Sequence, residues 1–339
     1  MSPDPVFPTG KLPLAYMQRL LSQYAASNGR LITGPGVGED VAVIDNGDRY
    51  MVIKTDPITF ATDQIGWYAV NINANDVATS GARPLWMLNT VLLPEGRTTP
   101  GLVEEIFRQI HEACVALGIT PVGGHTEVVH DLARPIVVGV MIGEAPKESL
   151  LTTSGARVGD CIVLVKSIPI EATAIIAREM APLLRSRGVP EDVVVRAQGY
   201  LYDPGISVLG PARLAAGWPG VHAMHDPTEG GLATGLHELA MAAGIGLEVQ
   251  HEAIPLAPEG QMLCELLGLD PLGTIASGAL IVAVAADEAQ GLLARLASEG
   301  YAAAVIGRAT PAADGVWLLR NGRREPLPLF ERDEITRIF

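Results

Sequence analysis

The chain has 339 residues, 48% of them hydrophobic, with 24 Lys+Arg against 38 Asp+Glu and a formal net charge of −14. That length favours two domains, each with enough apolar material for a core. The acidic balance excludes nucleic acid as the expected partner, because a polyanion is repelled, whereas small anions stay compatible if a bound metal inverts the local field. The lead MSPDPVFPTGKLP has no basic start followed by a long apolar run, so no signal peptide is expected. The longest apolar runs, such as 278–286, are too short to span a bilayer. Cys114, Cys161 and Cys264 lie far apart inside apolar segments, which fits buried free thiols in a reducing compartment. The expectation is a soluble, cytoplasmic protein.

In chain order, Leu14, Met17, Leu20, Leu21 and Tyr24 recur at helical spacing and predict an amphipathic helix over 14–26. GPGVGED (34–40) follows, its glycines allowing close backbone approach to a ligand or forming a plain turn, before a short strand at 41–45. A second strand, 50–55, ends in Asp56-Pro57, and the proline holds Asp56 in extended geometry. The stretch 71–84, NINANDVATSGARP, predicts a helix that ends at Gly81 and Pro84. It carries Asn71, Asn75 and Asp76 on one side, where amide and carboxylate oxygens suit a hard cation such as Mg2+ or merely face water. Asp40, Asp56 and Asp76 thus each sit at the edge of an apolar element. Singly they read as caps or turn residues; in succession they suggest a convergent acidic site.

A strand at 83–93 and a helix at 101–117 ending on Gly118 come next. ITPVGGHTEVV (119–129) then breaks an apolar strand at Gly123-Gly124, either as a phosphate-cradling turn or as a β-bulge or hairpin. His125 is a ligand, a general base or a turn residue. After a buried-type strand at 135–143, the polar, turn-rich stretch 144–159 predicts a boundary between domains 1–148 and 149–339. The second half opens with a strand at 161–166 and a helix at 170–180, followed by a charged helical region to about 216. In VHAMHDPTEGGLATGLHELAMAAG (221–244) a strand leads to His225-Asp226-Pro227-Thr228, and Gly230-Gly231 opens a helix. Asp226 or Thr228 can cap that helix, and its free N–H groups make either an anion site or an ordinary capped end. Strands at 246–250, 278–285 and 302–308, helices at 260–267 and 287–299, and a hairpin at Asn321-Gly322 complete an α+β reading.

The ordered set GPGVGEDVAVI, KTDPIT, NDVATSGARP, GGHTEV and DPTEGGL resembles the AIR synthase (PurM-like) superfamily over residues 34–306. That superfamily also holds selenophosphate synthetase, thiamine-monophosphate kinase and the hydrogenase maturation factor HypE. NDVATSGARPLW, TTSGARVGD and MHDPTEGG are most similar to the HypE-like branch. The resemblance implies a two-domain AIR synthase-like fold, an N-terminal β-barrel-forming domain plus a C-terminal α/β sandwich, and a homodimer formed through the N-terminal domains. It implies an enzyme using ATP and Mg2+, with Asp40, Asp56, Asp76 and Asp226 as metal ligands. Gly36, Gly38, Asn75, Gly123, Gly124, Thr126, Thr228, Gly230 and Gly231 would seat the nucleotide. His125, Glu127 and His225 would make acid–base or acceptor contacts. The implied reaction phosphorylates an amide-, carbamoyl- or phosphate-type oxygen of a small-molecule or peptide-amide acceptor, with a maturation protein as a further partner. The alternatives are a nucleotide-binding maturation or regulatory protein without catalysis, and a carbamoyl dehydratase acting on an external thiol. The chain departs from the HypE pattern at three places: it ends Arg337-Ile338-Phe339 where those enzymes carry a terminal cysteine, Glu127 replaces a lysine, and Ser277 replaces an acidic residue.

Overall fold

A computed structural model describes residues 6–7, 10–25, 28–36, 38–59 and 61–339; Ala26, at the end of the expected first helix, and Val37, inside the Gly-rich segment, lie outside the described residues. Helix α1 (Leu14–Tyr24) precedes strands β1 (Leu31–Thr33), β2 (Ala42–Asp45) and β3 (Arg49–Ile58). Helix α2 (Ile65–Thr79), β4 (Arg83–Pro94), α3 (Pro100–Leu117), β5 (Thr120–Val129) and β6 (Ile136–Pro146) follow. The strands form one sheet in the order β1-β2-β3-β6-β4-β5, antiparallel throughout except for the parallel pair β4–β5.

Strand β6 alternates strictly between buried and half-buried positions, with Val137, Met141 and Ala145 facing inward. Gly139 and Gly143 share that inward face, and a Cβ at either would run into Asn73 or Val77 of α2. The two glycines therefore let α2 lie directly on the sheet. α2 is buried at every position except Trp67. The water-facing reading of this helix is thus excluded, and its asparagines bond inside the protein as buried polar groups must. Asn71 donates to the Trp67 carbonyl, while Asn73 accepts from the Asp56 N–H at 2.8 Å and donates to the Asp56 carbonyl at 3.2 Å. α3 carries the expected stop and start signals, with Thr99 accepting from Leu102 N–H, Pro100 in its first turn and Gly118 left-handed at its end.

The second sheet contains β7 (Cys161–Val165), β8 (Val221–His225), β9 (Ile245–Gln250), β10 (Leu280–Val284), β11 (Ala303–Pro311), β12 (Val316–Arg320) and β13 (Arg323–Pro326). Its order is β13-β12-β9-β11-β7-β10-β8, antiparallel except for β12–β9. The helices are α4 (Ile170–Glu179), α5 (Ala181–Ser186), α6 (Glu191–Gly199), α7 (Leu209–Ala216), α8 (Gly231–Ala243), α9 (Pro258–Leu267) and α10 (Ala289–Ser298). Ile162 and Leu164 of β7 pack with Leu232 and Leu236 of α8, while Val163 and Val165 pack with Ala212 of α7 and Leu292 of α10. Covered on both faces, β7 and β10 read as unbroken apolar runs rather than alternating ones. Among the described residues no helix is long and apolar enough to cross a membrane.

Candidate functional site: an acidic cluster at the junction of α2, β3 and β8

Four segments distant in sequence deliver the site. β3 presents Lys54 and Asp56 two residues apart, hence on one face of the strand. α2 supplies Asp76, the loop before β2 supplies Asp40, and the end of β8 supplies His225 and Asp226. One oxygen each from Asp40, Asp76 and Asp226 lies within 4.8 Å of the other two. Asp76 and Asp226 are each 2% exposed, and Asp76 Oδ2 and both Asp226 oxygens are buried without a hydrogen-bond partner. Buried, unpaired carboxylate oxygens are costly, and a hard divalent cation satisfies such a set directly. The donor set therefore fits Mg2+.

Electrostatics support that reading. Burial, and then the Asp40 charge, push the Asp226 carboxyl up to about 8. Burial also holds Asp76 well above the usual carboxylate range, against the pull of Lys54 and with the repulsion of Asp226, Asp56 and Asp40. Burial raises Asp56 too, and Lys54 only partly offsets it. Asp40 goes the other way: burial works to raise it, but His225, bonded through Nδ1 at 2.6 Å to Asp40 Oδ2, brings it down. Lys54 Nζ stands 3.2 Å from Asp76 Oδ1 and 3.3 Å from Asp56 Oδ2, the one cation between these two acids. Burial opposes its charge, yet the surrounding acids raise Lys54 well above its ordinary value.

A cavity of about 380 Å3 opens beside the cluster, lined by Asp40, Lys54, Asp56 and Asp76 on one side and by Glu171, Thr228 and Glu229 on another. Lys11 reaches into it from the N-terminal segment, donating to Thr228 Oγ1 at 2.9 Å.

Several expected site residues stand elsewhere or serve otherwise. His225 is 2% exposed and held between Asp40 and Glu238, its Nε2 lying 3.1 Å from Glu238 Oε2, so it positions Asp40 rather than facing the cavity. Asn75 donates to the Ile206 carbonyl and accepts from Val208 N–H, both at 2.8 Å. Its amide is consumed in tying α2 to the 206–208 loop, which corrects its reading as a nucleotide contact. Neither Asp226 nor Thr228 caps α8; Gly230 is the N-cap, left-handed at φ 83°. The N–H of Gly230 donates to Asp333 Oδ2 at 2.7 Å, so the chain's own carboxylate fills the anion position expected there. Gly231 N–H bonds the Thr228 carbonyl and shapes the 226–231 loop. Gly36 pairs with Glu39, and Gly38 packs on the backbone of Glu238, where a Cβ would come within 2.7 Å of the carbonyl oxygen. Both glycines thus serve to bring Asp40 in.

The Gly123-Gly124 pair does not form a turn. β5 runs through it as a strand parallel to β4, with a register shift opposite Met87 and Leu88, the bulge alternative. Gly123, Gly124, His125, Thr126 and Glu127 are all exposed on this edge strand, and none lines the cavity beside the acids. His125 Nε2 approaches Glu127 Oε2 at 3.3 Å on the open surface.

Two groups at the cavity were missed by sequence reasoning. Lys54 was legible as the period-two partner of Asp56. Glu171 is the one charge in the apolar run IEATAIIA (170–177), a buried carboxyl pushed up to about 8 by burial. It stands beside Ser277, whose hydroxyl pulls slightly the other way. The carboxyl that the family pattern puts at position 277 is thus supplied from α4.

The two AIR synthase related protein families, N-terminal and C-terminal domain, match residues 38–145 and 157–318. The carbamoyl dehydratase HypE of Rhodobacter capsulatus is 35% identical over 281 residues, 81% of this chain and 77% of its own. Among solved structures, HypE of E. coli superposes with a TM-score of 0.74 at 26% identity, over 95% of this chain and 100% of that one. A HypE solved in complex with ATP shares the fold at a TM-score of 0.70 and 24% identity, over 95% of this chain and 93% of that one. The chain belongs to the AIR synthase-related family, in its HypE branch.

Proposed function

We propose that the protein is an Mg2+- and ATP-dependent enzyme that phosphorylates an amide-, carbamoyl- or phosphate-type oxygen of an acceptor. The observation that carries this reading is the convergence of Asp40, Asp76 and Asp226 within 4.8 Å, with buried oxygens that no protein group satisfies. Asp40, Asp76 and Asp226 hold the metal, and Asp56 stands beside them across Lys54. Bound Mg2+ would neutralise charge on the transferring phosphoryl group. His225, charged between Asp40 and Glu238, keeps Asp40 ionised and aimed. Lys54 restrains Asp76 and Asp56 against mutual repulsion, and Lys11, at the cavity mouth, offers an ammonium to an anionic ligand.

The functional division follows residues 1–148, with three of the acids, and 149–339, with Asp226 and the acceptor side. A second copy of the chain covers β5, where the exposed Val122 and Val128 flank Gly123–Thr126 on an unpaired edge. In such a homodimer Gly123, Gly124, His125, Thr126 and Glu127 would contact nucleotide at the interface.

The test is ADP release from Mg2+-ATP in the presence of amide, S-carbamoyl and phosphate-ester acceptors. The expected result is turnover that one acceptor class stimulates and EDTA abolishes. ATP binding with no ADP release under any acceptor would favour a nucleotide-binding regulatory protein instead.

A further inference from the structure

The far end of the cavity holds two buried polar side chains with nothing to bond. Glu171, in the first turn of α4, is 4% exposed, and Ser277, just before β10, is 1% exposed. Both line the cavity, and Glu171 Oε2 and Ser277 Oγ are each buried without a hydrogen-bond partner. The two groups lie close enough for Ser277 to lower the Glu171 pKa, but their approach falls short of a hydrogen bond. Leaving such an atom unsatisfied costs roughly 1–3 kcal/mol. Two of them side by side on one cavity wall mark a place that a ligand completes.

The surroundings define what kind of ligand. The titratable groups that face Glu171 are Glu229 from the 226–231 loop, Asp333 from the C-terminal segment and the Tyr68 phenol of α2, all acidic. The cations of the cavity are engaged or remote: Lys54 with Asp56 and Asp76, Lys11 with Thr228 and Glu229, and Arg134 on an exposed loop. Burial keeps Glu171 protonated at neutral pH, since its carboxyl is pushed up to about 8. A neutral carboxylic acid offers one O–H donor and a carbonyl acceptor, and the serine hydroxyl offers one of each. An anion entering here meets acids and no free positive charge.

We propose that Glu171 and Ser277 are the specificity-determining pair of the acceptor site, admitting an uncharged group that both donates and accepts hydrogen bonds and rejecting carboxylates and phosphates. Glu171 O–H donates to the carbonyl of such a group, and Ser277 Oγ accepts from its N–H. The pair deepens the phosphoryl-transfer reading by excluding phosphate-type acceptors, and it rests on that reading only for the name acceptor.

The experiment is saturation-transfer NMR on the full chain with acetamide, acetate and methylammonium as probes, with Mg2+-ATP binding followed by calorimetry on the same sample. Acetamide is expected to bind at pH 7 at least tenfold more tightly than acetate or methylammonium, and to lose binding as the pH passes about 8. Glu171→Gln, which keeps a neutral donor and acceptor, should retain acetamide and flatten that pH profile. Glu171→Ala and Ser277→Ala should each lose it. Acetate or methylammonium binding as well as acetamide, no transfer to acetamide at all, or an unchanged pH profile in Glu171→Gln would overturn the proposal. Selective acetamide binding without Mg2+-ATP binding would instead overturn the phosphoryl-transfer reading and leave the pair standing.

Discussion

Replacing Asp226 by Asn should stabilise the metal-free protein while abolishing its response to Mg2+-ATP. In the metal-free protein Asp226 is buried near the ionised Asp40, and its carboxyl titrates near 8 instead of 3.8. Folding at neutral pH therefore requires the group to take up a proton it lacks in the unfolded chain. Each pH unit between its ordinary value and neutrality costs about 1.4 kcal/mol, so roughly three of them set on the order of 4 kcal/mol against the folded state. A direct estimate agrees: two like charges 4.8 Å apart repel by about 3 kcal/mol at an effective dielectric constant of about 20. The sign follows from the raised value. The stability associated with this group is fully present below its unfolded pKa and is lost as the pH rises through about 8. Asn carries no such dependence. In EDTA at pH 7, thermal unfolding of Asp226→Asn should lie roughly 5–10 °C above that of the unmodified protein, with the gap closing towards pH 4. Addition of Mg2+-ATP should raise the melting temperature of the unmodified protein and leave the variant unmoved. A variant that melts lower in EDTA, or still responds to Mg2+-ATP, would refute the assignment of Asp226 as a strained metal ligand.

Lys54→Ala leaves Asp56 and Asp76 without their shared cation and should destabilise the metal-free protein by roughly 3 kcal/mol in urea titrations, with Mg2+ restoring part of the loss. Lys166 donates to the carbonyls of Pro204, Gly205 and Ser207 at 3.1, 2.8 and 2.7 Å; Lys166→Met orphans all three and should cost about 2–4 kcal/mol, read as faster proteolysis in the 201–208 segment. Burial pushes the Cys114 and Cys264 thiols up to about 11 and about 12, so a thiol reagent at pH 8 should label the native protein at Cys161 first and reach all three cysteines only in denaturant.

Much of the site was legible in the sequence because its acids stand where local rules announce them. Asp56 precedes a proline at a strand end, Asp76 interrupts a small apolar helix, and Asp226 follows a short buried strand. What local rules do not carry is which groups meet. His225 and Asp40 are 185 residues apart, and only the docking of β8 against the loop before β2 turns a histidine beside an aspartate into a support for a different one. Asn75 shares the helix side expected of a ligand, but the 206–208 loop arrives from the other half of the chain and takes its amide. Asp333 fills the α8 N-terminus from 103 residues away. Helical and strand periods distribute side chains over faces without stating what packs there. The Gly123-Gly124 pair fits a turn and a bulge equally, and its parallel pairing with β4 decides for the bulge. Glu171 left a signal of its own, one carboxylate in an apolar helix, whose meaning depends on Ser277 arriving beside it.

The central claim is that Asp40, Asp76 and Asp226 form an Mg2+-ATP site. Calorimetric titration of ATP into the full-length chain, with Mg2+ and with EDTA, tests it most directly. The account predicts binding that requires Mg2+ and disappears in Asp76→Asn. Equal binding in EDTA, or undiminished Mg2+-dependent binding by Asp76→Asn, would contradict it.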